Sequence, residues 1–215
     1  PFCPTRCLYC SFTSYPIDKY KNIVDLYIDK LIEELKFISL KAKGKRLMSI
    51  YIGGGTPTSL NETQLERLLE AVNMNFDVEG ALEFTVEAGR PDTITSEKLK
   101  VMKKHNVGRV SVNPQTMNQK TLDLIGRRHT VEDILSVFNM ARNEGFKNIN
   151  MDLILGLPGE SVSDVENTMD RIARLEPESI TVHTLAVKRA SRLKENFNDY
   201  SLAGISEIEN MLKTA

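Results

Sequence analysis

Residues 148–155 read Asn148-Ile-Asn-Met-Asp-Leu-Ile-Leu155. A side-chain period of two puts Asn148, Asn150, Asp152 and Ile154 on one face. Ile149, Met151, Leu153 and Leu155 fall on the other. A carboxylate inside such a strand costs free energy unless it is paired or bound to something. Asp152 therefore singles out this strand as one that points a functional group.

The surrounding chain repeats the same unit. Leu47–Ile52, Leu82–Val86, Arg109–Val112 and Ile180–Leu185 also read as strands. Between them lie segments at helical spacing: Gln64–Met74, Ser96–Lys104, Gln119–Ile125, Thr130–Asn143 and Val162–Leu175. Thr130 is the expected N-cap of its helix, and Gly145 its expected end. A longer helix carries Ile23, Leu26, Tyr27, Leu31, Leu35 and Ile38, and another begins near Ile205. Repeated βα units imply a parallel sheet with right-handed crossovers.

Two architectures satisfy that pattern: an open doubly wound sheet, or part of a (β/α) barrel. No G-x-G-x-x-G or Walker loop occurs, which lowers the nucleotide-fold readings. Polar residues sit at or just past the C-terminal ends of successive strands: Gly54–Thr56, Glu87, Gln115, Asp152 and His183. A parallel barrel builds its active site at that edge. The expectation is a partial (β/α) barrel of parallel strands over residues 1–200. One strand would precede Pro1, and residues 201–215 would begin a truncated C-terminal segment.

Composition narrows the function. The 215 residues carry 28 Lys+Arg against 29 Asp+Glu, a net charge of −1, which argues against a general nucleic-acid binder. No apolar run approaches membrane-spanning length, and no signal-peptide pattern is seen. The cysteines are Cys3, Cys7 and Cys10, all within ten residues. Such a set is a poor disulfide framework and suggests a reducing compartment with a metal or redox centre. Three thiolates can hold three corners of an iron–sulfur cube, leaving one iron open because no fourth cysteine exists. The rival readings are structural zinc with a distant fourth ligand, and a Cys7/Cys10 redox pair that leaves Cys3 unused.

The C-x3-C-x2-C spacing, with Tyr9 before the last cysteine and Gly53-Gly-Gly-Thr-Pro57 after the next strand, resembles the radical S-adenosylmethionine superfamily. Tyr51–Thr58, Phe84-Thr-Val-Glu-Ala88, Val112-Asn-Pro-Gln-Thr116 and Asp152–Pro158 resemble its oxygen-independent coproporphyrinogen III oxidase family. Glu87–Asp92 and Asn113–Met117 look most like the HemZ-type branch. The resemblance runs from Pro1 to about Arg192. It implies a radical SAM core with a 4Fe–4S cluster on Cys3, Cys7 and Cys10, and S-adenosyl-L-methionine on the open iron. Reductive cleavage to a 5′-deoxyadenosyl radical would convert two propionates of coproporphyrinogen III to vinyl groups.

By motif position, Tyr9 would contact the cofactor, and Gly54, Gly55 and Thr56 would offer backbone groups to its methionine moiety. Glu87 would accept from a cofactor amine or hydroxyl. Gln115, Arg127, Asp152 and the backbone of Ala186 match positions around a second S-adenosylmethionine. The chain departs from the family's usual pattern twice. Gly89-Arg90-Pro91 stands where an acidic residue and proline are usual, and Ser11-Phe12 stands where another cysteine often follows.

Plainer roles exist for several of these residues. Glu87 and Asp152 could pair with Arg109 or Arg127. Arg127 and Arg128 could be a solvated helix end. The run Lys188, Arg189, Arg192, Lys194 could be a solvated face or could meet propionates. His105 is expected to face solvent, and His129 to be a cap or surface residue. His183 is a candidate for the cavity wall, and the methionines read as core filler.

The implied setting is cytoplasmic, with a tetrapyrrole substrate and a flavodoxin- or ferredoxin-type electron donor, without nucleic acid or membrane. Two other readings stand beside the enzyme: a heme chaperone of the same family, and a radical enzyme acting on another tetrapyrrole.

Overall fold

The computed structural model describes residues 1–215. Five strands form one sheet: β1 (Ser49–Ile52), β2 (Glu83–Gly89), β3 (Arg109–Gln115), β4 (Ile149–Leu155) and β5 (Ser179–Thr184). Every pairing is parallel and the spatial order follows the chain order. That order decides between the two expected architectures. A doubly wound sheet reverses its order at a switch point, whereas this one winds in a single direction, as a barrel segment does. The chain is a five-stranded half-barrel.

The helices are α1 (Ile17–Lys41), α2 (Glu62–Asn75), α3 (Ser96–Lys104), α4 (Gln119–Leu124), α5 (Val131–Asn143), α6 (Val162–Ala173), α7 (Arg192–Glu195) and α8 (Ile205–Thr214). Their starts follow local chemistry. Asn61 and Gln64 form a reciprocal capping box on α2, as Thr130 and Asp133 do on α5. Gly145, at φ +85°, turns the chain out of α5. The main apolar core lies between the sheet and these helices. Phe84, Val86, Val110, Val112, Ile149, Met151 and Leu153 meet Leu65, Leu69, Leu99, Ile134 and Phe138 there.

The period-2 reading of β4 holds: Ile149, Met151, Leu153 and Leu155 are buried, while Asp152 and Ile154 line a cavity. The same alternation runs across the sheet. Its inner face carries a continuous polar network rather than a packed barrel interior. Arg109 donates to Glu83 Oε1 (3.0 Å) and to Ser179 Oγ (3.1 Å). Ser179 and Thr181 donate to Asn150 Oδ1 (2.8 and 3.0 Å). Asn150 Nδ2 donates to Ser111 Oγ (2.9 Å) and to Asp152 Oδ1 (2.5 Å).

Some local expectations are corrected. His105 is largely buried, with its side chain 11% exposed, because the α3 end packs against α2 through Asn73. His129 is 1% exposed and lies 3.6 Å from Asp92, so it is neither a cap nor a surface residue. Burial holds its imidazole below the usual pKa, with Asp92 opposing. Met102, Met117, Met151 and Met211 are core residues, but Met48 and Met74 are exposed. α7 and the two-residue parallel pairing of Phe2–Cys3 with Tyr15–Pro16 have no periodic signal in the sequence. Residues 205–214 dock on the sheet side of α6, with Met211 fully buried beside Leu155 and Val165.

Glu160, just past β4, is 6% exposed and accepts from the Thr116 hydroxyl (2.5 Å) just past β3. Burial pushes its carboxyl up from the usual 4.5 to about 7, against the hydroxyls of Thr116 and Thr121. The folded chain therefore holds a proton that the unfolded chain releases. Stability from this group falls as pH rises from about 4.5 to about 7 and is flat above that. In Glu160→Gln that slope should vanish. Denaturant titrations at pH 4.5 and 8 should show the variant gaining up to roughly 3 kcal/mol on the wild type across the interval.

Candidate active site

The C-terminal edge of the half-barrel opens into a cavity of about 360 Å³. Cys3, Cys7 and Cys10 line it from one side, on a loop with almost no regular structure of its own. The loop is held from outside. Leu8 N donates to Ile125 O (3.0 Å), Leu193 N donates to Leu8 O (2.9 Å), and Thr5 Oγ1 donates to Gly126 O (3.1 Å). The Leu8 side chain is buried with Ile125, Leu157 and Leu193. The residue between Cys7 and Tyr9 is thus an apolar peg that fixes the ligand loop to the ends of α4 and α7.

The glycine loop after β1 forms the adjacent wall. A Cβ on Gly55 would lie 2.5 Å from Phe2 O and 2.8 Å from Phe2 N. Thr56 N donates to Phe2 O (2.8 Å) and Thr56 Oγ1 to Cys3 Sγ (3.5 Å). The bare backbone at Gly55 thus admits the protein's own cysteine loop. Gly54, at φ +107° with open space around its Cα, is the position exposed to the cavity. A Cβ at Gly53 would meet the side chains of Tyr51 and Glu87. The glycine reading from sequence passed over this role.

Glu87 pairs with neither Arg109 nor Arg127. It accepts from Tyr51 Oη (2.5 Å) and Gly54 N (3.3 Å). Burial and Glu87 together push the Tyr51 phenol up, so it stays a neutral donor. Asp152 is likewise free of arginine and is oriented by Asn150.

Arg127 is not a solvated helix end. It is 7% exposed, donates to Tyr9 Oη (2.9 Å) and Asn113 O (3.3 Å), and keeps a buried Nε with no partner. Burial pushes the Tyr9 phenol up while Arg127 opposes. Gln115 is 7% exposed, adopts φ +72°, lines the same cavity and keeps a buried Oε1 with no partner. A left-handed glutamine costs of order 1–3 kcal/mol and persists where surrounding structure imposes it. Here the β3–β4 register shifts between Val112 and Gln115.

One cavity therefore gathers the three cysteines, Tyr9, Gly54, Gly55, Thr56, Glu87, Gln115, Arg127, Asp152 and His183. Ala186 lies just past β5, exposed and off the cavity wall. Lys188, Arg189, Arg192 and Lys194 are exposed, whereas Leu193 between them is the buried peg partner. Sequence reasoning missed Asn113, Arg90 and Leu8. For Arg90 the only mark was its place in the unusual Gly89-Arg90-Pro91.

No three His, Cys, Asp or Glu side chains converge tightly enough to share one metal ion. Three thiols lining one side of a cavity, with polar atoms of Gln115 and Arg127 that lack protein partners in the same wall, suit a multi-iron cluster and a polar ligand beside it.

The radical SAM superfamily model matches residues 1–172. The chain belongs to the radical SAM superfamily. Members of that superfamily use a 4Fe–4S cluster and S-adenosylmethionine. The core is 44% identical over 218 aligned positions to the oxygen-independent coproporphyrinogen-III oxidase-like protein HemZ of Bacillus subtilis, covering all of this chain and 44% of that protein. It is 39% identical to the heme chaperone HemW of Bacillus subtilis, over 87% of this chain and 49% of that protein. Among solved structures, the radical SAM coproporphyrinogen III oxidase HemN of Escherichia coli superposes with a TM-score of 0.86 at 28% identity, over 99% of this chain and 49% of that one. The chain spans about half the length of these relatives.

The Gly55–Phe2 approach yields a direct test. Gly55→Ala should leave helical circular dichroism unchanged but displace the cysteine loop. Iron and sulfide retained after anaerobic reconstitution should fall severalfold.

Proposed function

We propose that this protein carries out oxygen-independent oxidative decarboxylation of coproporphyrinogen III, converting two propionates to vinyl groups on the way to protoporphyrinogen IX. Cys3, Cys7 and Cys10 would hold the 4Fe–4S cluster. When bound, the cluster and S-adenosylmethionine would supply a 5′-deoxyadenosyl radical by reductive cleavage. Tyr9 would stand beside the cofactor, and Gly54, Gly55 and Thr56 would offer backbone groups along its methionine portion. Glu87, fixed by Tyr51 and Gly54, would accept from a cofactor amine or hydroxyl. Gln115, Arg127 and Asp152 would form a second cofactor pocket, with Ala186 outside its wall. A flavodoxin- or ferredoxin-type donor would deliver electrons in the cytoplasm; no helix here is long and apolar enough to cross a membrane.

The observation that carries the reading is one cavity that gathers the three cysteines, the glycine loop, Glu87, Gln115, Arg127 and Asp152, with Gln115 Oε1 and Arg127 Nε left without protein partners in its wall. A polar cavity wall with groups that the protein itself leaves unpaired suits a polar ligand. The second reading, heme carriage, is supported by the 39% identity to HemW.

Anaerobic reconstitution followed by reductant and S-adenosylmethionine separates the two. Formation of 5′-deoxyadenosine stimulated by coproporphyrinogen III, with matching carbon dioxide release, is the expected result. Slow cofactor cleavage indifferent to the porphyrinogen would favour heme carriage. Cys7→Ala should abolish iron retention, and a variant with full iron and sulfide content would refute the ligand assignment.

A further inference from the structure

We infer that Arg90 is a positioning residue for the cluster: its guanidinium donates a hydrogen bond to the Cys7 sulfur and raises the cluster's reduction potential. The inference rests on the cluster reading above.

Arg90 is 3% exposed, yet it takes part in none of the protein's ion pairs with Asp or Glu. Its Nη2 lies 2.8 Å from Cys7 Sγ and 2.6 Å from Thr5 O, and its Nη1 lies 2.6 Å from Thr5 Oγ1. A buried guanidinium without a carboxylate needs another anion. Asp92 acts on Arg90 only from beyond ion-pair distance, whereas the buried Cys7 sulfur is within hydrogen-bond distance and becomes fully anionic as a metal ligand.

The backbone is built to bring the arginine there. The β2–β3 pairing slips between Glu87 and Gly89, and Gly89 takes φ +68°, a conformation that side chains rarely adopt. Arg90 N then closes onto Ala88 O (2.7 Å), and Pro91 starts a short 3-10 turn. This sharp turn sends Arg90 beneath the cysteine loop. An acidic side chain at the same place would face the thiolate instead and could donate nothing to it when ionised.

Hydrogen bonds to cluster sulfurs and nearby positive charge favour the reduced, more negative state. A charge-assisted donor on a ligand sulfur is a strong form of that effect. Arg90 would therefore ease electron delivery to the cluster. Its two bonds to Thr5 suggest a rival role, in which Arg90 only clamps the loop.

The test is an EPR-monitored redox titration of the reconstituted wild type, Arg90→Gln, Arg90→Lys and Thr5→Ala, each normalised to iron content. The expected result is a midpoint shifted to more negative potential in Arg90→Gln, a smaller shift in Arg90→Lys, and none in Thr5→Ala. An unchanged midpoint in an Arg90→Gln that keeps its iron overturns the proposal. Pulsed EPR on reduced wild type labelled with 15N-arginine covers the case where Arg90→Gln loses its cluster. A 15N coupling that disappears in Arg90→Lys supports the hydrogen bond, and no coupling overturns it. A wild type that assembles no cluster would fail the cluster reading itself, and this inference with it.

Discussion

A parallel sheet that curves into a barrel has to fill its interior, and this one fills it with polar groups. In a closed eight-stranded barrel, branched apolar side chains stack in layers along the axis. Here Glu83, Arg109, Ser111, Asn150, Ser179 and Thr181 satisfy one another across the inner face. Such a face is stable only if every polar atom finds a partner, because buried unpaired groups cost more than a dry core gains. The network leaves room above itself, at the strand ends, and the reactive groups stand in that room.

The cysteine loop depends on this scaffold for its shape. It contributes three sulfurs and little secondary structure, so its geometry is imposed by Leu8, by the bare backbone at Gly55, and by the donors Arg90 and Thr56. These contacts come from separate elements far apart in the chain. The loop is therefore ordered only when β1, the β2–α3 turn, the end of α4 and α7 are already in place. The site and the fold are cooperative here for a plain reason: the cysteine loop has no local stability of its own.

Much of this was legible in the residues. Strand β4 and helix α3 appear at the boundaries their periodicity predicts, because their apolar positions are regularly spaced. The shared edge of Gly54, Glu87, Gln115, Asp152 and His183 follows from period-2 alternation in a parallel sheet. Arg127 was ambiguous because a helix-terminal arginine has the same local sequence whether it faces water or Tyr9. His129 and Arg90 were opaque for a related reason, since their partners, Asp92 and Cys7, are set by tertiary packing. Tyr51 offered an apolar strand pattern, which hid the hydroxyl that orients Glu87.

Gln115 places stability and chemistry in opposition at one residue. Its left-handed backbone would relax with glycine, by roughly 1–3 kcal/mol on the usual scale of such strain. That substitution would also remove the amide that faces the cavity. A selection for thermal resistance alone would thus drift toward a sturdier protein with an emptied pocket. At this one position the backbone and the side chain it carries pull in opposite directions.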